Sequence, residues 1–211
     1  HEYYGSSEVG GTSVSPEEWL AKPGTVGRPF PMTRLEVLDD DGQPVSTGKP
    51  GWIYMQQGDD EFTYHNDPEK TARASLGKLV CVGDIGYVDD EGFLFLCGRD
   101  AETIISGGVN IYPAAIEGHL LEHPAVQDVA VVGVPDEEFG EQVKAVVVAK
   151  PGYVGDTTLA ADLIEHCRRG LAHMNCPKSV DFVDQLPRDP SGKLYKPRVR
   201  DQYWQGRARR I

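Results

Sequence analysis

The sequence predicts an α+β protein in two parts, a β-rich segment over residues 1–99 and a compact α+β unit over 100–211. Three observations carry this prediction. From Thr33 to Leu96 short apolar runs alternate with turn residues, the pattern of antiparallel strands. Beyond Asp100 the pattern changes to helical and strand segments in alternation. The composition, 39% hydrophobic and 26% charged in 211 residues, supplies enough apolar side chains for a core and excludes a disordered or collagen-like chain. No internal repeat or low-complexity tract interrupts it.

The elements follow in order. Arg34–Leu38 and Gly51–Met55 read as strands separated by the turn Asp39–Gly42, and Ile85–Val88 and Phe93–Leu96 repeat that grammar around Asp89–Gly92. The opening thirty residues are rich in Gly, Ser and Pro and offer little core. Thr103–Ile105 reads as a short strand, Gly107-Gly108 as a flexible break, and Pro113 as the first residue of a helix running to about His123. Ile116, Leu120 and Leu121 share one face of that helix. The β-branched runs Asp128–Val134 and Gln142–Ala149 pair as sheet strands around Pro135–Gly140. Thr157 or Thr158 caps a helix reaching about Ala172, with Leu159, Leu163, Ile164 and Leu171 at core spacing, and Val180–Val183 supplies a third strand.

A formal net charge of −12 argues against nonspecific binding to nucleic acid or to an anionic membrane. The charge is uneven: residues 188–211 hold eight Lys/Arg against Asp189 and Asp201, a net of +6, leaving −18 on residues 1–187. That basic tail is either a solvated end or a phosphate-seeking surface. Cys81, Cys97, Cys167 and Cys176 show no CxxC spacing, which fits reduced packing thiols and a cytoplasmic location. There is no apolar run long enough for a membrane span and no signal segment.

Several short segments carry residues suited to chemistry. Tyr4-Gly5-Ser6-Ser7-Glu8 combines an aromatic ring for stacking on a base, a glycine for close approach, hydroxyls for a phosphate, and a carboxylate that suits Mg2+ as a hard oxygen ligand. The Ser/Gly-rich stretch that follows has no Lys-Ser or Lys-Thr pair, so it is no Walker loop. Asp84, read at a strand end, can accept both hydroxyls of a ribose, and Arg99 stands at the boundary between the two parts. Ser106-Gly107-Gly108 offers backbone without bulk, for a narrow tunnel or a plain turn. Leu186–Lys193 presents a lysine from a Pro- and Gly-shaped loop, where an ammonium can stabilise developing negative charge. His119 and His123 have i, i+4 metal spacing, but no third ligand is evident and the pair is expected to face solvent.

Taken together and in this order, these segments resemble the adenylate-forming superfamily of acyl-CoA synthetases, adenylation domains and luciferases, most closely the fatty acyl-CoA ligases. Tyr4–Glu8 is similar to the family's YGxTE motif, with Ser7 in the threonine place. Val26–Pro29 is similar to its GRP turn, and Thr47–Tyr54 with Tyr64–Pro68 to its barrel region. Val82–Asp84 is similar to TGD, Gly98–Glu117 to GRxD…GGxNIYPxxIE, and Pro187–Lys193 to PxxGK. The resemblance implies that residues 1–99 are the C-terminal part of a large adenylate-binding domain and 100–211 a small mobile domain. It implies roles for Tyr4 on adenine, Gly5 beside it, Ser7 on the AMP phosphate, Glu8 on Mg2+, and Asp84 and Arg99 on ribose. Lys193 becomes the adenylation lysine, and Ser106, Gly107 and Gly108 the lining of a pantetheine tunnel.

The implied reaction joins a carboxylic acid to ATP, giving acyl-adenylate and pyrophosphate, after which coenzyme A displaces AMP to form a thioester. A hinge movement between the steps withdraws the lysine. Ala101 stands where the family has a hinge Asp or Lys. The family's phosphate loop and most of its acyl pocket precede YGxTE, so the chain, which starts at His1, is read as the C-terminal portion of a synthetase and inactive by itself. The acyl substrate, probed by a pocket on other residues, stays open. Two alternatives are an adenylation domain that loads a carrier protein and a non-catalytic nucleotide-binding or interaction fragment.

Overall fold

The antiparallel grammar of the first part becomes an eight-stranded sheet in the computed structural model, which describes residues 1–59 and 61–206. The chain divides into two units, His1–Ala101 and Glu102–Ile211. The first contains β1 (Glu2–Ser6), β2 (Gly10–Val14), α1 (Pro16–Ala21), β3 (Thr25–Pro29), β4 (Thr33–Leu38), β5 (Gly51–Gln57), α2 (Pro68–Ala74), β6 (Ser75–Leu76), β7 (Leu79–Val88) and β8 (Leu94–Arg99). The strands lie in the order β1-β2-β3-β8-β7-β5-β4, with β6 on β7. Val9, Val26, Ile53, Met55, Val80 and Leu94 form its core.

The opening thirty residues correct the expectation of little core. They form β1, β2, α1 and β3, and Thr12 and Thr25 are fully buried. The Thr12 hydroxyl donates to the Val26 carbonyl and the Thr25 hydroxyl to that of Leu94, so neither buried oxygen lacks a partner. A threonine satisfied in this way packs like valine, which a polar count misses. α1 starts at a capping box: Ser15 Oγ accepts the Glu18 N–H at 3.2 Å and the Glu18 carboxylate accepts the Ser15 N–H at 3.0 Å.

The second unit contains β9 (Ile104–Ser106), β10 (Val109–Ile111), α3 (Pro113–Leu121), β11 (Val126–Asp136), β12 (Gly140–Ala149), α4 (Thr157–Gly170), β13 (Ser179–Phe182) and α5 (Lys196–Asp201). β11 and β12 pair antiparallel from Val126↔Ala149 to Asp136↔Gly140, and β13 runs parallel to β12. Side chains alternate between two cores. Val129, Val131, Ala145 and Val147 meet Ile116 and Leu120 of α3 and Leu163 and Cys167 of α4. Ala130, Val132, Val146 and Val148 meet Leu186 and Val199 on the other face. Cover on both faces explains why these strands read as unbroken apolar runs.

Three local expectations are revised. Gly107 and Gly108 are not a flexible break but the two-residue turn joining β9 to β10, with φ of 58° and 81°. Both angles lie in the left-handed region that a tight twisted hairpin requires, where glycine is unstrained. α4 is capped by Asp156, one residue before the expected threonines: its carboxylate accepts the N–H groups of Thr158 and Leu159 at 3.0 and 2.9 Å. Leu121 is 49% exposed, unlike Ile116 and Leu120, because one further residue turns it about 100° around the helix from Leu120.

Among the described residues no helix is long and apolar enough to cross a membrane. Ile116 is fully buried between α3 and β11, so Ile116→Ala should lower the unfolding free energy by about 2–5 kcal/mol through lost burial and the cavity left behind. Urea denaturation measures this directly.

Candidate functional site

In the first unit three of the sequence-selected residues meet at Asp84. The Tyr4 hydroxyl donates to Asp84 Oδ2 at 2.7 Å, and Arg99 Nε lies 3.2 Å from Asp84 Oδ1. Asp84 is not at a strand end, as the sequence suggested, but inside β7 and opposite Arg99 of β8. The ladder to β5 slips here between Trp52↔Ile85 and Tyr54↔Cys81, and Gly83 takes a φ of 89° to make the bulge. The bulge re-aims the carboxylate toward Tyr4. Asp84 is 9% exposed, whereas the Arg99 side chain is 66% exposed. Burial, and then the Asp84 bond, push the Tyr4 phenol far above its ordinary value, so it stays a proton donor.

Gly5 faces Gly11 across the β1–β2 ladder, where an added Cβ would overlap the Gly10 carbonyl oxygen. Its first requirement is thus strand approach. Ser7 is exposed, and its hydroxyl donates to Glu8 Oε2 at 3.2 Å. Bonding by the Ser6 hydroxyl, with smaller help from Ser7 and the nearby Lys70 ammonium, holds the Glu8 carboxyl below its usual range. Glu8 lines a cleft of about 410 Å³ with Gln57, Phe62 and Lys78. A half-exposed anionic oxygen of this kind suits a hard cation.

The second unit carries the other predicted residues on two separate loops. Lys193 is exposed on a hairpin-like loop organised by Asp189. The Asp189 carboxylate accepts the N–H groups of Ser191 and Lys193 at 2.8 and 3.0 Å and the Ser191 hydroxyl at 2.6 Å. Arg188 binds the Gly192 carbonyl at 2.9 Å and reaches Asp128 near the start of β11. Ser106, Gly107 and Gly108 form the β9–β10 turn at the other end of the sheet. There Gly107 N–H donates to the Phe139 carbonyl at 2.9 Å and Ser106 bridges Gly140. An added Cβ on Gly107 would lie 3.0 Å from the Phe139 ring.

Other candidates resolve into structural roles. His119 and His123 do not face solvent: His123 is 8% exposed and His119 is half-buried between α3 and α4. The His119 and His166 rings stack at 4.3 Å, and each Nε2 lies 3.0 Å from the other residue's carbonyl oxygen, so each must be the donor. Glu122 completes a group of potential ligands with this pair. With each Nε2 given to a carbonyl of the other helix, the pair ties α3 to α4. All four cysteines are free, and burial pushes every thiol up, Cys97 and Cys167 to about 11. They remain unreactive thiols at neutral pH.

The basic tail divides in the same way. Arg188, Lys196 and Arg200 hold carboxylates of the chain itself, and Arg207, Arg209 and Arg210 lie outside the described residues. Sequence reasoning gave no role to Lys196, whose partners are 79 and 94 residues away along the chain.

The bonds from Ser191, with further help from Lys193, lower the Asp189 pKa below the ordinary 3.8. The loop's order is therefore complete above that value and is lost only as pH falls through the lower, folded-state value. Amide shifts of Ser191 and Lys193 should titrate together with a midpoint under 3.8, and a midpoint at or above it would refute the bonding.

Comparison with known proteins agrees with the motif order. Residues 1–59 match the family described as AMP-binding enzyme, and residues 115–193 the AMP-binding enzyme C-terminal domain. A fatty acid–[acyl-carrier-protein] ligase, ScoC of Streptomyces coeruleorubidus, is 36% identical over 99% of this chain and 40% of its own length. A long-chain-fatty-acid–CoA ligase of Mycobacterium tuberculosis is 39% identical over 92% of this chain and 38% of its own length. The structure of the Bacillus subtilis O-succinylbenzoate coenzyme A synthetase in complex with AMP superposes with a TM-score of 0.84 and 31% identity, over 100% of this chain and 42% of that one. The chain spans about two fifths of the length of these relatives. With both parts matched in sequence and the whole described fold matched in structure, the chain belongs to the AMP-binding, adenylate-forming enzyme family.

Proposed function

We propose that the chain is the C-terminal part of an ATP-dependent acyl-CoA synthetase. Its first unit is then the end of the large adenylate-binding domain, and its second the small mobile domain. The observation that carries the reading is the separation of the two loops of the second unit. The loop of Lys193 is tied to Asp128 and the glycine turn to Phe139 and Gly140, at opposite ends of the β11–β12 hairpin. The eight residue steps from Asp128 to Asp136 span about 26 Å at strand rise. One rigid unit carrying two reactive loops this far apart suits a reaction in two steps, each using a different end.

In the first step a carboxylate oxygen attacks the α-phosphorus of ATP, and the bond to pyrophosphate breaks. Lys193 places a compact positive charge where negative charge grows on the carboxylate and α-phosphate oxygens. Tyr4 stacks on adenine, Gly5 leaves its backbone open beside it, and Asp84 with Arg99 takes the ribose hydroxyls. Ser7 bonds the AMP phosphate. Glu8 supplies one oxygen ligand to Mg2+, which its anionic carboxylate fits. In the second step the thiol of coenzyme A attacks the acyl carbon and AMP leaves. Ser106, Gly107 and Gly108 line the path of the pantetheine arm, where a side chain would obstruct it. The reading places the reaction in the cytoplasm and takes a fatty or related acid as substrate.

A carrier-protein thiol is the second reading for the acceptor, favoured by the likeness to the ScoC ligase over 99% of the chain. Thioester formation with free coenzyme A and with a phosphopantetheinylated carrier protein separates the two.

The chain by itself should give no carboxylate-dependent exchange of pyrophosphate into ATP, and robust exchange would overturn the reading. In a polypeptide of the relatives' full length, Lys193→Ala should slow adenylation by about 10²–10³-fold. Thioester formation from supplied acyl-adenylate should change far less. Equal losses in both steps would contradict the role given to Lys193.

A further inference from the structure

Lys196 opens α5, three residues after Lys193, and its ammonium is almost enclosed. Nζ lies 2.8 Å from Glu102 Oε2 and 2.9 Å from Glu117 Oε2, and the Lys196 side chain is 12% exposed. The second oxygen of Glu117 accepts the Val131 N–H at 2.8 Å. One buried charge thus joins the first residue of the second unit, the helix that follows the glycine turn, the helix that follows the Lys193 loop and, through Glu117, strand β11.

On the other side of the boundary Arg99 is held in the β7–β8 ladder opposite Asp84, with its guanidinium on that carboxylate. Between these two anchored residues lie only Asp100 and Ala101, which begin a single 3-10 turn. Burial favours a neutral Glu117, and the Lys196 ammonium opposes this. Glu102 is the more exposed of the two acids, at 30% of its side chain, and the ammonium holds it beside Glu117. Remove that ammonium and Glu102 faces a second carboxylate with nothing between them.

We propose that Lys196 is a positioning residue that clamps Glu102 to the second unit, confining reorientation between the units to Asp100 and Ala101 and fixing the Lys193 loop and the glycine turn on one rigid body. The proposal rests on the two-step reading above for its purpose, but the clamp is a property of this chain and is measurable in it.

The test is amide hydrogen exchange on the chain itself, comparing wild type with Glu102→Gln, Lys196→Met and Lys196→Arg. In the wild type, rapid exchange is expected at Asp100 and Ala101, with protection starting at Glu102 and Thr103. Glu102→Gln leaves the Lys196–Glu117 pair intact, so the unit keeps its fold. It should speed exchange at Glu102 and Thr103 by about tenfold while strands β11 and β12 keep wild-type protection. Lys196→Met should do the same or more, and Lys196→Arg should restore most of the protection. Unchanged exchange at Glu102 and Thr103 in Glu102→Gln, or faster exchange spread evenly over β11 and β12, would overturn the clamp. In a polypeptide of the relatives' length, Glu102→Gln should shift the ratio of the two step rates without abolishing either. Failure of that polypeptide to adenylate any carboxylate would refute the synthetase reading and leave the exchange result standing.

Discussion

Everything in the second unit hangs on the β11–β12 hairpin. Its ladder runs ten residues without a turn, and its side chains feed one core on each face. A strand pair covered on both sides resists bending, because any twist opens contacts in two cores together. Helices α3 and α4 cover one face; the chain beyond Leu186 covers the other. Each end of the hairpin then carries a short loop. The loop of Lys193 is fastened near Asp128 by Arg188, and the glycine turn is fastened at Phe139 and Gly140. The stiffness of the hairpin is what keeps these loops apart.

Carboxylates organise the loops and strands where the candidate site residues lie. Asp84 gathers Tyr4 and Arg99 from strands β1 and β8; Asp189 shapes the turn before Lys193; Glu117 and Glu102 enclose Lys196. Asp189 takes its donors from its own loop, whereas the donors to Asp84, Glu102 and Glu117 come from segments far along the chain. The net charge of −12 reads differently in this light. Part of it is a set of acceptors engaged inside the structure rather than a solvated acidic coat. The same holds for the basic tail, where Arg188 and Lys196 are structural and Lys193 projects outward.

Two glycine positions show how backbone geometry substitutes for side-chain chemistry. Gly83 turns Asp84 toward Tyr4 by making a bulge inside a ten-residue strand. Gly107 and Gly108 close a hairpin so tightly that the turn presents bare backbone at the edge of the unit. Neither position needs a functional group of its own. Both control what a neighbouring residue can reach.

The sequence by itself determined the class of the fold, the paired β-branched strands, the helix starting at Pro113, the existence of the helix after Asp156 though not its cap, and the family. These are local: strand alternation, a proline that suits a first turn, and motif order depend on residues near each other in the chain. It also marked Tyr4, Asp84, Arg99 and Lys193 as residues able to do chemistry. Only the tertiary structure decided that the first three share one carboxylate, because Tyr4 and Asp84 are 80 residues apart. It also decided that buried threonines would give the opening segment a core, and that the histidines would stack between helices rather than face water. Lys196 is the clearest case. In the sequence it is one more cation in a basic tail; its worth comes from two acids brought to it from far along the chain, since an ion pair depends on distance in space and burial, neither of which is written in local order.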